Sequence, residues 1–379
     1  MIHIDHQTLY RDPDYYCAHP HAISLENGDW LVVATRAPRR NIVLHPPQDP
    51  TYQNILFRSQ DGGLSWSEPK VIPDDSWHGV ECAGLTQLND GRVMLNQWRF
   101  KWIECKPSDR GAVGFGPDQI VQSLQESIDF DLNCKTAGVT ADMFPWSRSS
   151  GETWVHFSKD NGQSFDQSIH IDTAPFSGGY NMRGSVQFPD GEIFLPLCDV
   201  PNYKQVFVVR SDDGGGTWSS PELIAEGHDH EYEEPVALIL SSGRILVALR
   251  DNVSRILHMV WSDDRGKTWS KPRKSGIEEY PAQLFELANG TIACLAGRRK
   301  PPYGIRLILS QDQGQTWDTH VPIIIRDDMP NKNLGYPTGI ITKEQNMTAI
   351  YYGEDSEGVT GIEFSKFRLD VGKNVASEV

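Results

Sequence analysis

Five copies of one eight-residue pattern, Ser-x-Asp-x-Gly-x-Ser/Thr-Trp/Phe, constrain this chain more than any other feature. They read SQDGGLSW from Ser59, SKDNGQSF from Ser158, SDDGGGTW from Ser211, SDDRGKTW from Ser262 and SQDQGQTW from Ser310. Self-similarity at a period of about 50 residues marks a propeller or a related array of supersecondary units. Each copy follows a short apolar run (NILFR, TWVHF, QVFVV, ILHMVW, IRLIL), and its Asp-x-Gly centre is turn chemistry between two strands. Upstream of every copy lies a second hairpin built around a turn: ISLENGDWLVVATR, LTQLNDGRVMLNQWR, VQFPDGEIFLPL, ALILSSGRILVALR and LFELANGTIACLAGR. A sixth, IITKEQNMTAIYYG, carries Gln345 where the turn glycine would be.

Two hairpins per unit make a four-stranded antiparallel blade, and six units make an all-β, six-bladed β-propeller occupying residues 1–379 as one domain. Only GIEFSKFRL follows the hairpin of the last unit, so the segment Ile2 to Leu9 is expected to close the ring as its outer strand. The boxes are spaced by 99, 53, 51 and 48 residues. The long first gap places an insertion, residues 103–151, between the two hairpins of blade two. Within it PDQIVQSLQES (Pro117 to Ser127) has the pattern of a short helix with proline in its first turn.

Composition narrows the function. Against 35 Lys and Arg stand 51 Asp and Glu, a formal charge of −16, which argues against a nucleic-acid partner. No apolar run approaches the roughly 20 residues of a membrane span. The first residues, Met-Ile-His-Ile-Asp-His-Gln, lack the basic and apolar regions of a secretory signal, and a cytoplasmic location is the expectation, with secretion the alternative where a signal has been removed. The six cysteines are scattered without a C-x-x-C pair, so free thiols are expected and no structural zinc site.

Topology then says which residues meet. In an up-and-down blade the start of the first strand, the end of the second and the start of the third share one face, while the boxes lie on the other. At the first-strand starts stand His19-Pro20, Glu81-Cys82, Met182-Arg183, Glu234-Pro235, Tyr280-Pro281 and Tyr336-Pro337. At the second-strand ends stand Arg36, Arg99, Arg250 and Arg298, and Arg306 opens the third strand of blade five. A lone Arg at a strand end is usually a solvated charge, and a lone Tyr before Pro is usually packing. Ionisable groups at equivalent positions of several blades instead point to a concave axial site.

The boxes, Glu234-Pro-(14 residues)-Arg250, Arg306 before the last box and Tyr336-Pro337 together resemble the exo-sialidase superfamily over nearly the whole chain. The resemblance implies an exo-acting hydrolase of a terminal acidic, sialic-acid-like sugar, without a cofactor. By it Tyr336 is the nucleophile, Glu234 its base, and Arg250 and Arg306 two of three arginines gripping the substrate carboxylate. Asp49, in the loop after the first hairpin, corresponds to the acid/base aspartate. The residue types suit the substrate. A carboxylate on the anomeric carbon repels an anionic nucleophile, whereas a neutral tyrosine with a neighbouring base is not repelled, and sialidases are an exception to the two-carboxylate scheme. Arginine forks bind carboxylates bidentately.

One departure limits the likeness. Sialidases open the first blade with Arg-Ile-Pro, whose arginine completes the triad, and this chain reads Ala18-His19-Pro20, with His21 next. Arg36, Arg39, Arg40 or Arg298 are the available substitutes, and Tyr280 and Arg183 are further candidates for substrate contact. The change also suits a lyase similar to the rhamnose–glucuronate lyases, in which Arg neutralises a uronate while His19, Tyr280 or Tyr336 moves a proton. A non-catalytic glycan-binding propeller is the third reading. His228-Asp229-His230, a possible metal-ligating loop, reads more simply as solvated side chains.

Overall fold

A computed structural model of the chain describes residues 4–39, 49, 51–73, 78–104, 146–148, 151–200, 202–342, 346–370 and 375–377. These form six antiparallel sheets around one axis, each with at least four strands, and no helix occurs among the described residues. Blade one, for example, runs Tyr15–Ser24, Trp30–Pro38, Gln53–Ser59 and Lys70–Ile72 from the axis outward. Blade four runs Tyr232–Ile239, Ile245–Asp251, His258–Ser262 and Arg273–Lys274. The second strands are apolar almost without interruption because neighbouring blades cover both faces: every residue of Ile193–Asp199 is buried.

The ring closes between its two ends. His6–Arg11 is the outermost strand of the sixth blade, antiparallel to Thr360–Asp370, with His6 opposite Ser365 and Arg11 opposite Gly361. This is the expected closure, placed a few residues later than Ile2 to Leu9. His6 Nδ1 bonds Ser365 Oγ at 2.8 Å, and Arg11 pairs with both Asp355 and Glu363. In blade two the second strand, Val93–Glu104, continues past its neighbours and pairs with Trp146–Arg148. The rest of the insertion, including the Pro117 to Ser127 helix expectation, lies outside the described residues.

Each box is a small hydrogen-bonded knot. In the box of blade three Ser211 Oγ donates to Asp213 Oδ1 at 2.8 Å, and Asp213 accepts the amide and hydroxyl of Thr217, both at 2.8 Å. Its glycine, Gly215, has φ +90°, and a Cβ there would come within 2.4 Å of Phe157 in the preceding blade. The same approach recurs at Gly314 against Leu246. The box glycines therefore set how closely adjacent blades pack. Register places the boxes away from the first-strand starts: Ser59 is opposite Trp30, which is opposite Ser24 at the far end of the first strand.

Candidate active site

Three of the six innermost strands share an unusual local structure. His19, Glu234 and Tyr336 have φ of 56°, 49° and 48°, each precedes a proline, and at each the strand ladder slips, between Ala18 and His21, Glu233 and Val236, and Gly335 and Thr338. A residue before proline is normally extended, and a left-handed non-glycine residue costs about 1–3 kcal/mol. Bulges re-aim side chains next to active sites. Here the three re-aimed side chains belong to blades one, four and six, and all three are buried.

They converge. The Tyr336 hydroxyl donates a hydrogen bond to Glu234 Oε1, and Arg250 Nη1 donates to the same oxygen at 3.0 Å while lying 3.5 Å from the Tyr336 hydroxyl. The His19 ring meets the Tyr336 ring edge-on, centroids 4.3 Å apart. The Thr35 hydroxyl lies 3.0 Å from Ala18 O and 3.1 Å from His19 Nδ1. The Thr35 hydroxyl thus bridges the Ala18 carbonyl and the His19 ring. Glu234 Oε2 is buried without a hydrogen-bond partner among the described residues.

The electrostatics follow from burial. Desolvation drives the Tyr336 phenol well above its ordinary pKa and the Glu234 charge adds to this, while Arg250 and Arg299 oppose it. Burial disfavours the Arg250 cation, yet the carboxylates of Glu234 and Glu233 carry its pKa upward. Burial also raises Glu233, reinforced by Glu234 and opposed by Arg250.

The other sequence candidates divide. The Arg250 guanidinium stacks over Tyr280, 5.1 Å from the ring centroid, so Tyr280 belongs to the cluster. Asp49 is fully buried and opens a turn in which its Oδ1 accepts the Thr51 amide and hydroxyl, at 2.9 and 2.7 Å. That turn carries Tyr52, whose hydroxyl is 3.5 Å from His19 Nδ1. Arg306 donates to the backbone carbonyls of Ile305 and Arg326, Arg298 pairs with Glu279 at 2.8 Å, and Arg36 stacks over Tyr15 and donates to the Tyr10 hydroxyl at 3.4 Å. Those three arginines make their closest contacts away from Tyr336. Arg183 donates to three carbonyls at the axis, Pro20, Ala282 and Pro337. His21 Nδ1 accepts the Leu85 amide at 2.9 Å, which requires a neutral ring. Arg40 lies outside the described residues.

Two residues join the site without having been singled out from the sequence. Arg299 lies 5.6 Å from the centroid of the Tyr336 ring, with Nε donating to Leu334 O at 2.9 Å. Glu233 accepts from the Tyr180 hydroxyl at 3.1 Å and from Asn252, with Arg250 at 3.9 Å. The run Arg298-Arg299-Lys300 at a second-strand end and the Glu233-Glu234 pair were the available signals.

His230 bonds Asp251 at 2.8 Å, with His258 3.8 Å from the same oxygen. Asp251 also accepts the amides of Glu231, Val253 and Ser254, so its carboxylate serves as the hub of a loop. Cys17, Cys198 and Cys294 are buried free thiols, and the side chains of the other three cysteines lie outside the described residues.

A six-bladed propeller of Asp-box blades, with a tyrosine, a glutamate and arginines gathered at the axis, defines the sialidase-like class. The chain belongs to the BNR repeat-like domain family, whose match covers residues 138–349. It is similar to an anhydrosialidase from Macrobdella decora, 21% identical over 335 residues. That alignment takes in 71% of this chain and 41% of the relative, so the chain spans well under half of the curated relative's length. A protein of unknown function from Dyadobacter fermentans superposes with a TM-score of 0.78 at 21% identity, over 96% of this chain and 97% of that one. A variant of NanB sialidase from Streptococcus pneumoniae superposes with a TM-score of 0.66 at 14% identity, over 95% of this chain and 70% of that one.

Proposed function

We propose that this protein is an exo-acting glycosidase that removes a terminal acidic, sialic-acid-like sugar through a tyrosyl intermediate. The observation that carries the reading is the hydrogen bond from Tyr336 to Glu234 beneath Arg250. A phenol whose pKa is raised needs a base at hand, and Glu234 is within reach of its proton. In the first step the Tyr336 oxygen bonds to the anomeric carbon and its proton passes to Glu234. The bond to the leaving oxygen breaks, and that oxygen takes a proton from Asp49. Water then attacks the adduct with the roles reversed. Arg250, with Tyr280 stacked on it, binds the substrate carboxylate, and Arg299 supplies a second positive charge beside Tyr336.

A screen of aryl sialosides and uronate-terminated oligosaccharides tests this. Release of the aryl alcohol with a saturated sugar product supports it, and the sugar is assayed both as the free acid and, given the similarity to an anhydrosialidase, as an anhydro product. His19 standing edge-on to Tyr336 where sialidases carry arginine favours a second reading, β-elimination next to a uronate. An ultraviolet-absorbing unsaturated uronate would establish that one instead. Affinity for these glycans without turnover would leave a binding module.

A further inference from the structure

We propose that Arg183 is a positioning residue, an axial clamp from blade three that holds the strained bulges carrying His19 and Tyr336 in register for catalysis. The inference deepens the glycosidase reading and rests on it for its kinetic part.

Arg183 stands where blades one, four and six have the proline after their re-aimed residue. Its side chain is buried and crosses the axis. Nη1 donates to Pro20 O and Nη2 to Pro337 O, both at 3.0 Å, and Nε to Ala282 O at 3.2 Å. Pro20 and Pro337 directly follow His19 and Tyr336, and Ala282 lies two residues after Tyr280. One planar fork therefore fixes peptide groups of three blades, a task its rigid geometry suits. The bulges need such a tie, because proline offers no N–H to the ladder and left-handed residues persist only where surroundings over-determine them. The Ala22 amide, held by Thr338 Oγ1 at 3.1 Å, adds a direct link between blades one and six.

The clamp also carries charge. Burial lowers the Arg183 pKa to about 10, while Glu234 and Tyr336 hold it up, so the Arg183 charge acts within reach of that pair. Around that pair lie Arg250, Arg299, Glu233 and Tyr352, with His19 against the ring. Around Arg183 the further titratable neighbour is His21, kept neutral by burial and by Arg183 itself.

The test compares Arg183→Met and Arg183→Lys with Phe157→Ala, a core truncation in blade two far from the axis. Kinetics on an aryl sialoside, pH–rate profiles and hydrogen exchange are read well below each melting temperature. Arg183→Met is expected to lose about 100-fold in kcat, as misplacement of reacting groups does, with KM changed by less than about threefold and the acid limb of the profile moved to higher pH. Exchange should speed up selectively in residues 15–24 and 334–341. Lysine, with three donors and the charge, should restore about tenfold and return the acid limb. Phe157→Ala should lower the melting temperature without moving the profile. Wild-type kcat in Arg183→Met, or exchange there no faster than in Phe157→Ala, would overturn the clamp. If the wild-type protein turns over no substrate, the glycosidase reading fails while exchange still decides whether Arg183 holds the bulges.

Discussion

The hydroxyl of Tyr336 and the carboxylate of Glu234, from blades six and four, share a hydrogen bond although 102 residues separate them. Both sit at positive φ before proline, so the contact is made by two strained bulges facing each other. If this pair is nucleophile and base, Tyr336→Phe abolishes release of the aryl group from an aryl sialoside while leaving binding of the sugar acid intact. Glu234→Gln lowers kcat by about 10²–10⁴-fold, the usual range for loss of a positioned base. Calorimetry of sugar-acid binding alongside kinetics checks both, and full activity in Tyr336→Phe would remove the tyrosine from the mechanism.

The arginines sort by what their guanidinium groups already hold. Arg306 bonds two backbone carbonyls, whereas Arg299, which holds one at Leu334, lies over the Tyr336 ring. Removing a charged hydrogen-bonding group costs about 1.5–3 kcal/mol of interaction, or roughly 10- to 150-fold in kcat/KM. Arg299→Ala and Arg250→Ala should each lose that much on an acidic substrate, and Arg306→Ala should lower the melting temperature with a smaller effect on kcat/KM. The reverse order would return Arg306 to the substrate.

The sequence made the ring legible because its information is periodic: the serine, aspartate and glycine of each box recur with the spacing of the blades. The same register brought Glu234, Arg250 and Tyr336 to one face. What it concealed follows from breaks in strand alternation. Alternation sends adjacent residues to opposite faces, so Glu233 and Glu234 would part, yet the bulge turns both toward Arg250, at 3.9 and 3.0 Å. Arg299 follows the last residue of the strand Ile292–Arg298, beyond the point where parity says anything. Arg183 occupies a legible position, but its role depends on carbonyls from three other blades, and no local pattern specifies that.

Burial pushes the His21 pKa down to about 3, with Arg183 adding to the effect, and its Nδ1 accepts the Leu85 amide. An unfolded histidine titrates near 6.5, so the folded state refuses a proton that the unfolded chain takes up. The stability due to the neutral ring is complete above pH 6.5 and is lost as pH falls from there toward 3, with a slope approaching about 1.4 kcal/mol per pH unit. His21→Asn keeps an acceptor in nearly the same place and cannot titrate. Its urea midpoint should therefore fall less than that of the wild-type protein between pH 7 and pH 4.5, and equal falls would show that another group carries the dependence.

The boxes make a separate prediction at lower pH. Hydrogen bonds from the Thr217 amide and hydroxyl, and from Ser211, hold the Asp213 carboxyl down at about 2, and the Thr268 hydroxyl and amide hold Asp264 likewise. A depressed carboxyl stabilises the fold above its unfolded pKa near 3.9 and loses that contribution as pH falls through about 2. Asp213→Asn removes the charge and one acceptor at every pH, so it should melt below the wild-type protein at pH 7. The gap should close as the pH approaches 2, where the wild-type aspartate takes up its proton and both proteins lack the anion. Because the comparison is a difference, acid effects from His21 cancel in it. A gap that stays constant from pH 7 to pH 2 would mean that the carboxylate charge contributes nothing to the turn and that only its shape matters.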